Sequence, residues 1–576
     1  MTTYQRDVTT LEPAWPFAGR EDELELVRRS LTGGRRGMVV TGPAGCGKTR
    51  LVTEAVRGTD CARAAGTPES RSIPFAAFAH LLPEPVTLHR AVHLLAGART
   101  LLVDDAHLLD DASAALVHQL AVDGRVRLLV VARDGSRTPG AVSRLWTGEL
   151  LPRLTLERLP EEETARLLTA GAGPLDPLTG RRLRDLARGD LRLLRDLLAA
   201  VRTRLTPVPG TGERAWRGPV PLTPAVREHT APVLGRACPR QRETLDRLAF
   251  AEPLPGDPDG LDLDALEALE SDGLVAVDDR GAVRLAHPLY GPVLRAAAGR
   301  LRARRLARTP QEHASALDAE RAELARRIAR DDVRQTPTPV GEWLVAEGGP
   351  LPGGYAAVRA RYARLRGEVR EAAAWAREGL RGDPEHTACR AELARACDPS
   401  GGRGGLDPTL AVPADPYDAV RLGAPEKVID RLSGVFARHA DALARADGPA
   451  LDEVAGELER RGFTLFAAEA HAQAVGAHRD PRAARRSRAR AVALARRCQG
   501  ARTPALAGLA LGELTARQRQ IVTLAAAGLS NRQIAERLTL SIRTVGNHLY
   551  GAYARLGTGD RAALPWLTDA PEAQPA

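Results

Sequence analysis

Residues 42–49 read Gly-Pro-Ala-Gly-Cys-Gly-Lys-Thr and satisfy the pattern G-x-x-x-x-G-K-[ST] in full. They follow the apolar run Met38-Val39-Val40 and precede a helical pattern at Leu51, Val52, Ala55 and Val56. Glycines at these positions let backbone N–H groups converge on phosphate oxygens, and a helix starting directly afterwards adds the positive end of its dipole. Gly42, Gly45, Cys46, Gly47, Lys48 and Thr49 are therefore expected to cradle ATP or ADP. In this reading Lys48 reaches the β- and γ-phosphates and the Thr49 hydroxyl binds Mg²⁺. The chain has only two lysines, Lys48 and Lys427, so a lysine inside this pattern is a pointed placement.

A second acidic element lies about 50 residues downstream, where Thr100-Leu101-Leu102-Val103 ends in Asp104-Asp105. A carboxylate at the carboxyl end of such a strand is placed to hold Mg²⁺, so Asp104 is the expected metal partner of Thr49, and Asp105 is the candidate catalytic residue that would orient an attacking water. A third strand, VRLLVVARDG, ends at Ala132-Arg133 with no Thr, Ser or Asn to sense a γ-phosphate. Arg133 is the one charge it offers to the site, and nucleotide binding is better supported than hydrolysis.

Positioning these groups requires a sheet. Between Phe17 and about Val201, GMVVTG, RTLLVDDAH, VRLLVVAR and LPRLTLERL alternate with helical periodicity. Short apolar runs separated by helices imply a buried parallel sheet built by βαβ crossovers. The expected fold is multidomain, α/β plus α. Residues 1–14 read as a disordered tail, 15–205 as a P-loop NTPase domain with a helical lid, and LTPVPGTGERAWRGPVPLTP as a Pro/Gly-rich linker. Residues 215–300 read as a winged-helix domain, because helices end in GLVAVDDRGAVRLAHPLY, two β-like runs around an Asp-Asp-Arg-Gly turn. Residues 301–505 are helical throughout and repeat-like. Gly367, Ala372, Leu380 and Pro384 match the second half of a tetratricopeptide repeat, and DPSGGRGGLDPTLAVPADP reads as a loop.

Residues 510–570 form a second centre of interest. Thr515 with Gln518 and Ser530 with Gln533 match the S/T-x-x-Q capping box, Gly528 and Gly557 sit where helices end, and Ser541 caps a further helix. A short helix, a tight turn and a longer helix make a helix-turn-helix within a four-helix module. Ile542, Val545, Leu549 and Leu556 are expected to pack on Ile521, Leu524, Ile534 and Leu538. Arg543, Gly546, Asn547, Tyr550 and Ala554 then face outward, towards a DNA major groove in which Asn547 reads a base edge and Arg543 a guanine or a phosphate. Around this face Arg517, Arg519, Arg532, Arg537, Arg555 and Arg561 outnumber Glu513, Glu536 and Asp560, giving a surface suited to DNA phosphates.

Composition narrows the classes. Aromatics at 3% against 44% hydrophobic residues favour Ala- and Leu-rich helical packing over a β-sandwich. The +10 net charge permits a polyanionic partner without requiring one. Six cysteines without a CxxC pair indicate neither a disulfide framework nor a zinc site, and no run of about 18 apolar residues occurs. The expectation is a soluble cytoplasmic protein with no membrane partner.

The segment LTARQRQIVTLAAAGLSNRQIAERLTLSIRTVGNHLYGAYARLG resembles a LuxR-type DNA-binding domain, including its Thr544-Val545-x-x-His548 core. Joined to a P-loop domain that opens with Phe-Ala-Gly-Arg at 17–20, the whole chain is similar to the large ATP-binding regulators of the LuxR family. IPFAAFAHLLP, LLVDDAHLLDDAS, LAHPLYGPVLRA, FTLFAAEAHAQA and CQGARTPAL carry that likeness along its length. The resemblance implies a signal-transducing ATPase that acts on promoter DNA with RNA polymerase, answers a small-molecule or protein inducer, and forms a homo-oligomer. It makes the stretch from Arg543 through Thr544 and Asn547 to Tyr550 the recognition helix, beside which Arg532 and Arg555 are the expected phosphate contacts, and it sets His287 either near the nucleotide or as a packed structural histidine. The arginine bias would suit a high-GC actinobacterium, where such regulators often govern secondary-metabolite clusters. The chain departs from the family pattern at Val131, at Gly189-Asp190-Leu191, at Gln518 and at Gly546, and the first two favour binding over turnover. The alternative is a signal-transducing or remodelling ATPase whose helical tail is not a sequence-specific DNA reader.

Overall fold

The computed structural model describes residues 15–32, 36–83, 86–135, 138–279, 281–306, 310–397, 416–512, 516–526, 529–538 and 540–556. The expected tail at 1–14 and nearly all of the loop DPSGGRGGLDPTLAVPADP lie outside them. The chain divides into two compact units, Met1–Ala307 and Arg308–Ala576.

The first unit is built on five parallel strands: β1 (Gly37–Thr41), β2 (Ala62–Ala65), β3 (Thr100–Asp104), β4 (Arg127–Val131) and β5 (Arg153–Thr155), in the order β2-β3-β4-β1-β5. Both faces are covered, as continuous apolar strands require. Val39, Leu101, Val103, Leu128 and Val130 pack on one side with Phe78, Leu116 and Leu120. Met38, Val40, Leu102, Leu129 and Val131 pack on the other with Val27, Leu51 and Val52. The sequence signalled β1, β3, β4 and β5 but not the edge strand β2, whose Ala-Arg-Ala-Ala carries no apolar run and buries only Ala64.

Helices Glu161–Ala172, Pro177–Ala187 and Leu191–Val201 share a core of Leu183, Leu194, Leu197 and Val201. The stretch read as a linker proves to be part of this body. Strands β6 (Thr206–Pro207) and β7 (Arg214–Ala215) pair as a hairpin, and Trp216, 1% exposed, enters that core with the Arg182 guanidinium 3.6 Å from its ring centre. Its prolines and glycines mark turns of a packed element, and the buried tryptophan is what a loose linker would not carry.

Next come helices Pro239–Ala251, Leu263–Ser271 and Tyr290–Ala297 around the antiparallel pair β8 (Val275–Val277) and β9 (Val283–Leu285), with a common core of Leu245, Leu248, Leu269, Val283 and Leu294. The helix Arg300–Leu306 is tied to this body by Arg302, 2.7 Å from Asp246.

The second unit is helical among its described residues. Helices Gly353–Leu365 and Val369–Gly382 turn back on each other at Gly367, whose φ of +87° disfavours a side chain and whose would-be Cβ would stand only 3.0 Å from Cys498 Sγ. Two buried polar clusters inside it are matched. The buried Arg421 donates to both oxygens of Glu469 at 2.8 and 2.9 Å. His439, fully buried, fits as the neutral ring: Nε2–H donates to Gln473 Oε1 at 2.8 Å and Nδ1 accepts from the Tyr417 hydroxyl at 2.6 Å. Desolvation pushes its pKa down to about 4.

A histidine whose folded pKa lies below its unfolded value of about 6.5 stabilises the fold fully above pH 6.5 and loses that contribution as pH falls towards 4. About 2 kcal/mol from His439 is expected to be lost between pH 7.5 and 5. Urea unfolding followed by helical circular dichroism checks this, and the pH slope is expected to shrink in His439→Gln.

Candidate functional site

The carboxyl ends of β1, β3 and β4 converge on one edge of the sheet, so residues distant in sequence meet there. Gly42, Gly45 and Gly47 follow β1 with φ of +152°, +67° and +96°, before the helix Lys48–Ala55 begins. At Gly45 a Cβ would stand 2.1 Å from the Asp190 carboxyl, so this residue must be glycine on space as well as on φ. The Lys48 ammonium, 8% exposed, donates to the carbonyls of Gly42 at 3.0 Å and Pro43 at 2.6 Å and lies 3.9 Å from Cys46 Sγ. Cys46 itself is buried in the core beneath the loop.

Although β4 separates β1 from β3, the Thr49 hydroxyl reaches Asp104 Oδ1 at 3.2 Å, and the Asp105 N–H reaches the same oxygen at 2.9 Å. Burial, with the neighbouring Asp105 charge, raises the Asp104 pKa, while the Thr49 bond, the Asp105 N–H and the Arg192 charge oppose it. Such a carboxyl is one whose ionised form a cation would favour strongly. Asp105 is half-buried and holds a left-handed conformation, φ +46°.

Arg133 is exposed just past β4 and lines a cavity of about 340 Å³ with Thr41, Asp134, Trp146 and Arg153. The next residue, Asp134, donates its N–H to the Gly42 carbonyl at 3.1 Å, which binds the end of β4 to the loop. Val131, at the end of β4, is fully buried in the sheet core and presents no polar group.

Three neighbours were not singled out as site residues by sequence. His107, two residues after Asp105, is nearly buried, and its Nδ1 has no hydrogen-bond partner among the described residues. Burial lowers its pKa, Asp105 opposes, and Arg133 and Lys48 add to the lowering, so all four share one electrostatic environment. Asp190 caps the helix Leu191–Val201 and stands against Gly45, and the Leu191 N–H donates to the Gly45 carbonyl at 2.9 Å. Arg192 follows. The Asp-Asp-Ala-His and Gly-Asp-Leu-Arg strings were in view, but only the fold brings them to the loop.

His287 lies between β9 and the helix Tyr290–Ala297. Its Nδ1 accepts from the Leu289 N–H at 3.2 Å, and its ring centre is 5.4 Å from that of Tyr290. Burial, with help from the Arg188 charge, pushes its pKa down to about 4, and Asp190 opposes. Arg188 also donates to the Ala286 carbonyl. Residues 188–191 thus touch the glycine-rich loop on one side and the segment 286–290 on the other.

The second site is the helix-turn-helix, with helices Ala516–Ala526, Asn531–Leu538 and Ile542–Leu556. The box at Ser530 is formed: Gln533 Oε1 accepts from the Ser530 N–H at 2.8 Å, and Ser530 Oγ accepts from the Gln533 N–H at 3.4 Å. Ser541 Oγ accepts from the Thr544 N–H at 3.0 Å and starts the last helix. Ile521, Val522, Ile534, Val545, Leu549 and Ala552 make the core.

Outside it Arg543 and Asn547 are exposed, and Tyr550 is 79% exposed. Arg532 is exposed and paired with Glu536 at 3.2 Å. Thr544 is half-buried and shares a 2.7 Å bond with the Ser541 hydroxyl.

Two expectations change. Ile542, assigned to the core by spacing, is 54% exposed: at the first helical position its side chain leans towards the N-terminus, beyond the packed layer. Arg517, expected at DNA phosphates, is half-buried and donates to the Leu538 carbonyl at 2.7 Å, fastening the first helix to the second. The side chains of Arg519 and Arg555, the residues Thr515, Gly528, Gly557 and Arg561, and the expected fourth helix lie outside the described residues.

Residues 512–566 match the family described as bacterial regulatory proteins, luxR family. This segment is a luxR-family domain. The chain is 45% identical, over 74 residues, to HTH-type transcriptional regulators of Mycobacterium bovis and Mycobacterium tuberculosis. That stretch is 13% of this chain and 8% of each relative. Among solved structures, the chain is similar to a point mutant of Thermotoga maritima RuvB, with a TM-score of 0.27 and 18% identity over 47% of this chain and 93% of that one. It is also similar to a signal transduction ATPase with numerous domains and a tetratricopeptide repeat sensor from Pyrococcus horikoshii, with a TM-score of 0.25 and 14% identity over 96% of this chain and 78% of that one. The multidomain α/β plus α assignment rests on the strand order and the glycine-rich loop, to which the luxR-family domain adds a helical DNA-binding end.

Proposed function

We propose that the chain is an ATP-binding transcriptional regulator, an activator that binds promoter DNA through its luxR-family domain and uses nucleotide as a conformational switch. The observation that carries the reading is the luxR-family match at 512–566 on a helix-turn-helix whose last helix turns Arg543, Asn547 and Tyr550 outward. A polar and cationic helix face of this kind suits base edges and phosphates in a major groove.

The phosphate loop supports the switch. Its three left-handed glycines leave backbone N–H groups free of side-chain obstruction, Lys48 supplies a fixed cation, and the Thr49–Asp104 pair brings two oxygen ligands together at 3.2 Å. Those donors fit a nucleotide polyphosphate and Mg²⁺, which when bound would neutralise charge between β- and γ-oxygens. Asp105 is placed one residue on to orient water. The apolar Val131 at the sensor position makes turnover slow, so occupancy rather than flux carries the signal. The helical second unit receives a small-molecule or protein inducer, the active form is a homo-oligomer that engages RNA polymerase in the cytoplasm, and the regulated genes form a secondary-metabolite cluster. A DNA shift with fragments upstream of the neighbouring genes tests the reading: the full chain is expected to retard its own promoter and a chain ending at Ala510 is not.

A further inference from the structure

The helix Pro481–Arg496 has an outer face on which every charge is an arginine. Arg482, Arg485, Arg486, Arg490 and Arg496 are exposed and recur at helical spacing, while Ser487, Ala491 and Leu494 on the opposite side are buried. No Asp or Glu occurs between Pro481 and Gly512. The acids around the helix are already engaged. Asp480 caps it by accepting the N–H groups of Arg482 at 3.0 Å and Ala483 at 3.3 Å, and Asp452 is held by His471, His478 and Ser487. Glu459 is shared between Arg490 at 3.5 Å and Arg497 at 3.7 Å. Arg482, Arg485, Arg486 and Arg496 form no ion pair among the described residues. On the helix Pro310–Ala329, by contrast, Arg321 and Arg326 each have an acid one turn back, Asp318 and Glu323. Arg482 and Arg490 each stand four residues from Arg486, where like charges repel and weaken a helix, so a polyanion lying on this face would stabilise it.

Packing joins this helix to the DNA-binding end. Leu494 and Cys498 share a core with Leu506 and Leu509 of the helix Pro504–Gly512, and Arg488 donates to the Leu509 carbonyl. The helix Pro504–Gly512 runs to the first residue of the luxR-family match and touches the last helix of the helix-turn-helix.

We propose that the arginine face of Pro481–Arg496 is a second DNA surface, which grips phosphates flanking the site read by the luxR-family domain and carries no base preference of its own. This rests on the DNA reading above. Duplex DNA is the occupant because the face is purely cationic and is built, through packed helices, onto the domain that holds DNA. Guanidinium forks take phosphate oxygens two at a time and stay charged at any working pH. From Arg482 to Arg496 the helix covers about 21 Å, roughly two thirds of a B-DNA turn of about 34 Å, so several of its arginines can meet phosphates of one duplex. Each phosphate neutralised releases counterions and adds affinity irrespective of sequence.

The test is fluorescence anisotropy of the full chain against a random-sequence duplex and against the promoter fragment upstream of its own gene, each over a series of salt concentrations. The triple variant Arg482→Gln, Arg485→Gln, Arg486→Gln is expected to weaken both duplexes by a similar factor, roughly tenfold or more, and to flatten the slope of log affinity against log salt by about two to three. Arg→Lys at the same three positions is expected to restore most of that slope, because the charge returns on an equally good helix former. All three side chains are exposed, and unchanged helical circular dichroism shows that the variants fold. A salt slope equal to that of the wild type, or a loss confined to the promoter fragment, overturns the arginine face and leaves the luxR-family domain as the DNA surface. A wild-type chain that binds neither duplex overturns both readings.

Discussion

Nucleotide binding is expected to fall by roughly a hundredfold or more when Lys48 is replaced with alanine. The ammonium is held in place by the Gly42 and Pro43 carbonyls and is nearly buried, so a phosphate meeting it gains charge-assisted hydrogen bonds of about 1.5–3 kcal/mol each with little further ordering. The substitution removes those bonds and also the clasp that joins both ends of the loop. Arg133 is exposed beyond β4, and an arginine at position 48 would be too long and too flat for the same pair of carbonyls. Calorimetric titration with Mg-ATP checks the loss, with circular dichroism to confirm that the sheet is intact. Equal affinity in both proteins would show that the loop does not hold nucleotide.

Loss of all specific DNA binding is expected for a chain ending at Ala510, a drop of roughly a thousandfold or more towards the non-specific level. Within the intact domain, Asn547→Ala is expected to cost about 1–3 kcal/mol at one base pair of the site. Asn547 is exposed on the face opposite Val545 and Leu549, so its removal leaves the core untouched. Arg532→Ala differs in kind. Its partner Glu536 already competes for the charge, and a phosphate contact there carries no base preference, so binding should weaken evenly across sequences with a shallower salt dependence. Specific binding retained after truncation would remove the luxR-family domain from the account.

The phosphate loop and the helix-turn-helix were legible because each is a local pattern: glycines that need positive φ, a lysine after them, and serines three residues before a glutamine or a free N–H. The buried strands β1, β3 and β4 were legible for a related reason, since a strand covered on both faces must be apolar throughout. Edge strand β2 escaped because Ala62–Ala65 needs few apolar residues to pair with β3. The Pro/Gly stretch around Trp216 misled because turn residues mark turns of folded hairpins as readily as linkers. Ile542 kept helical spacing yet lies outside the core, because periodicity gives a face but not where the partner helices end. Asp190, Arg192 and His107 needed the fold. Nothing in Gly-Asp-Leu-Arg reveals that it will abut a loop more than 140 residues earlier.

The switch is tested most directly by measuring the promoter affinity of the full chain without nucleotide, with Mg-ADP and with a non-hydrolysable ATP analogue, beside Lys48→Ala under the same conditions. The two nucleotide states of the wild-type chain are expected to differ at least fivefold, in keeping with a coupling of about 1 kcal/mol or more, while Lys48→Ala shows one affinity throughout. Promoter affinity that stays constant in the wild type while nucleotide saturates the loop would contradict the account.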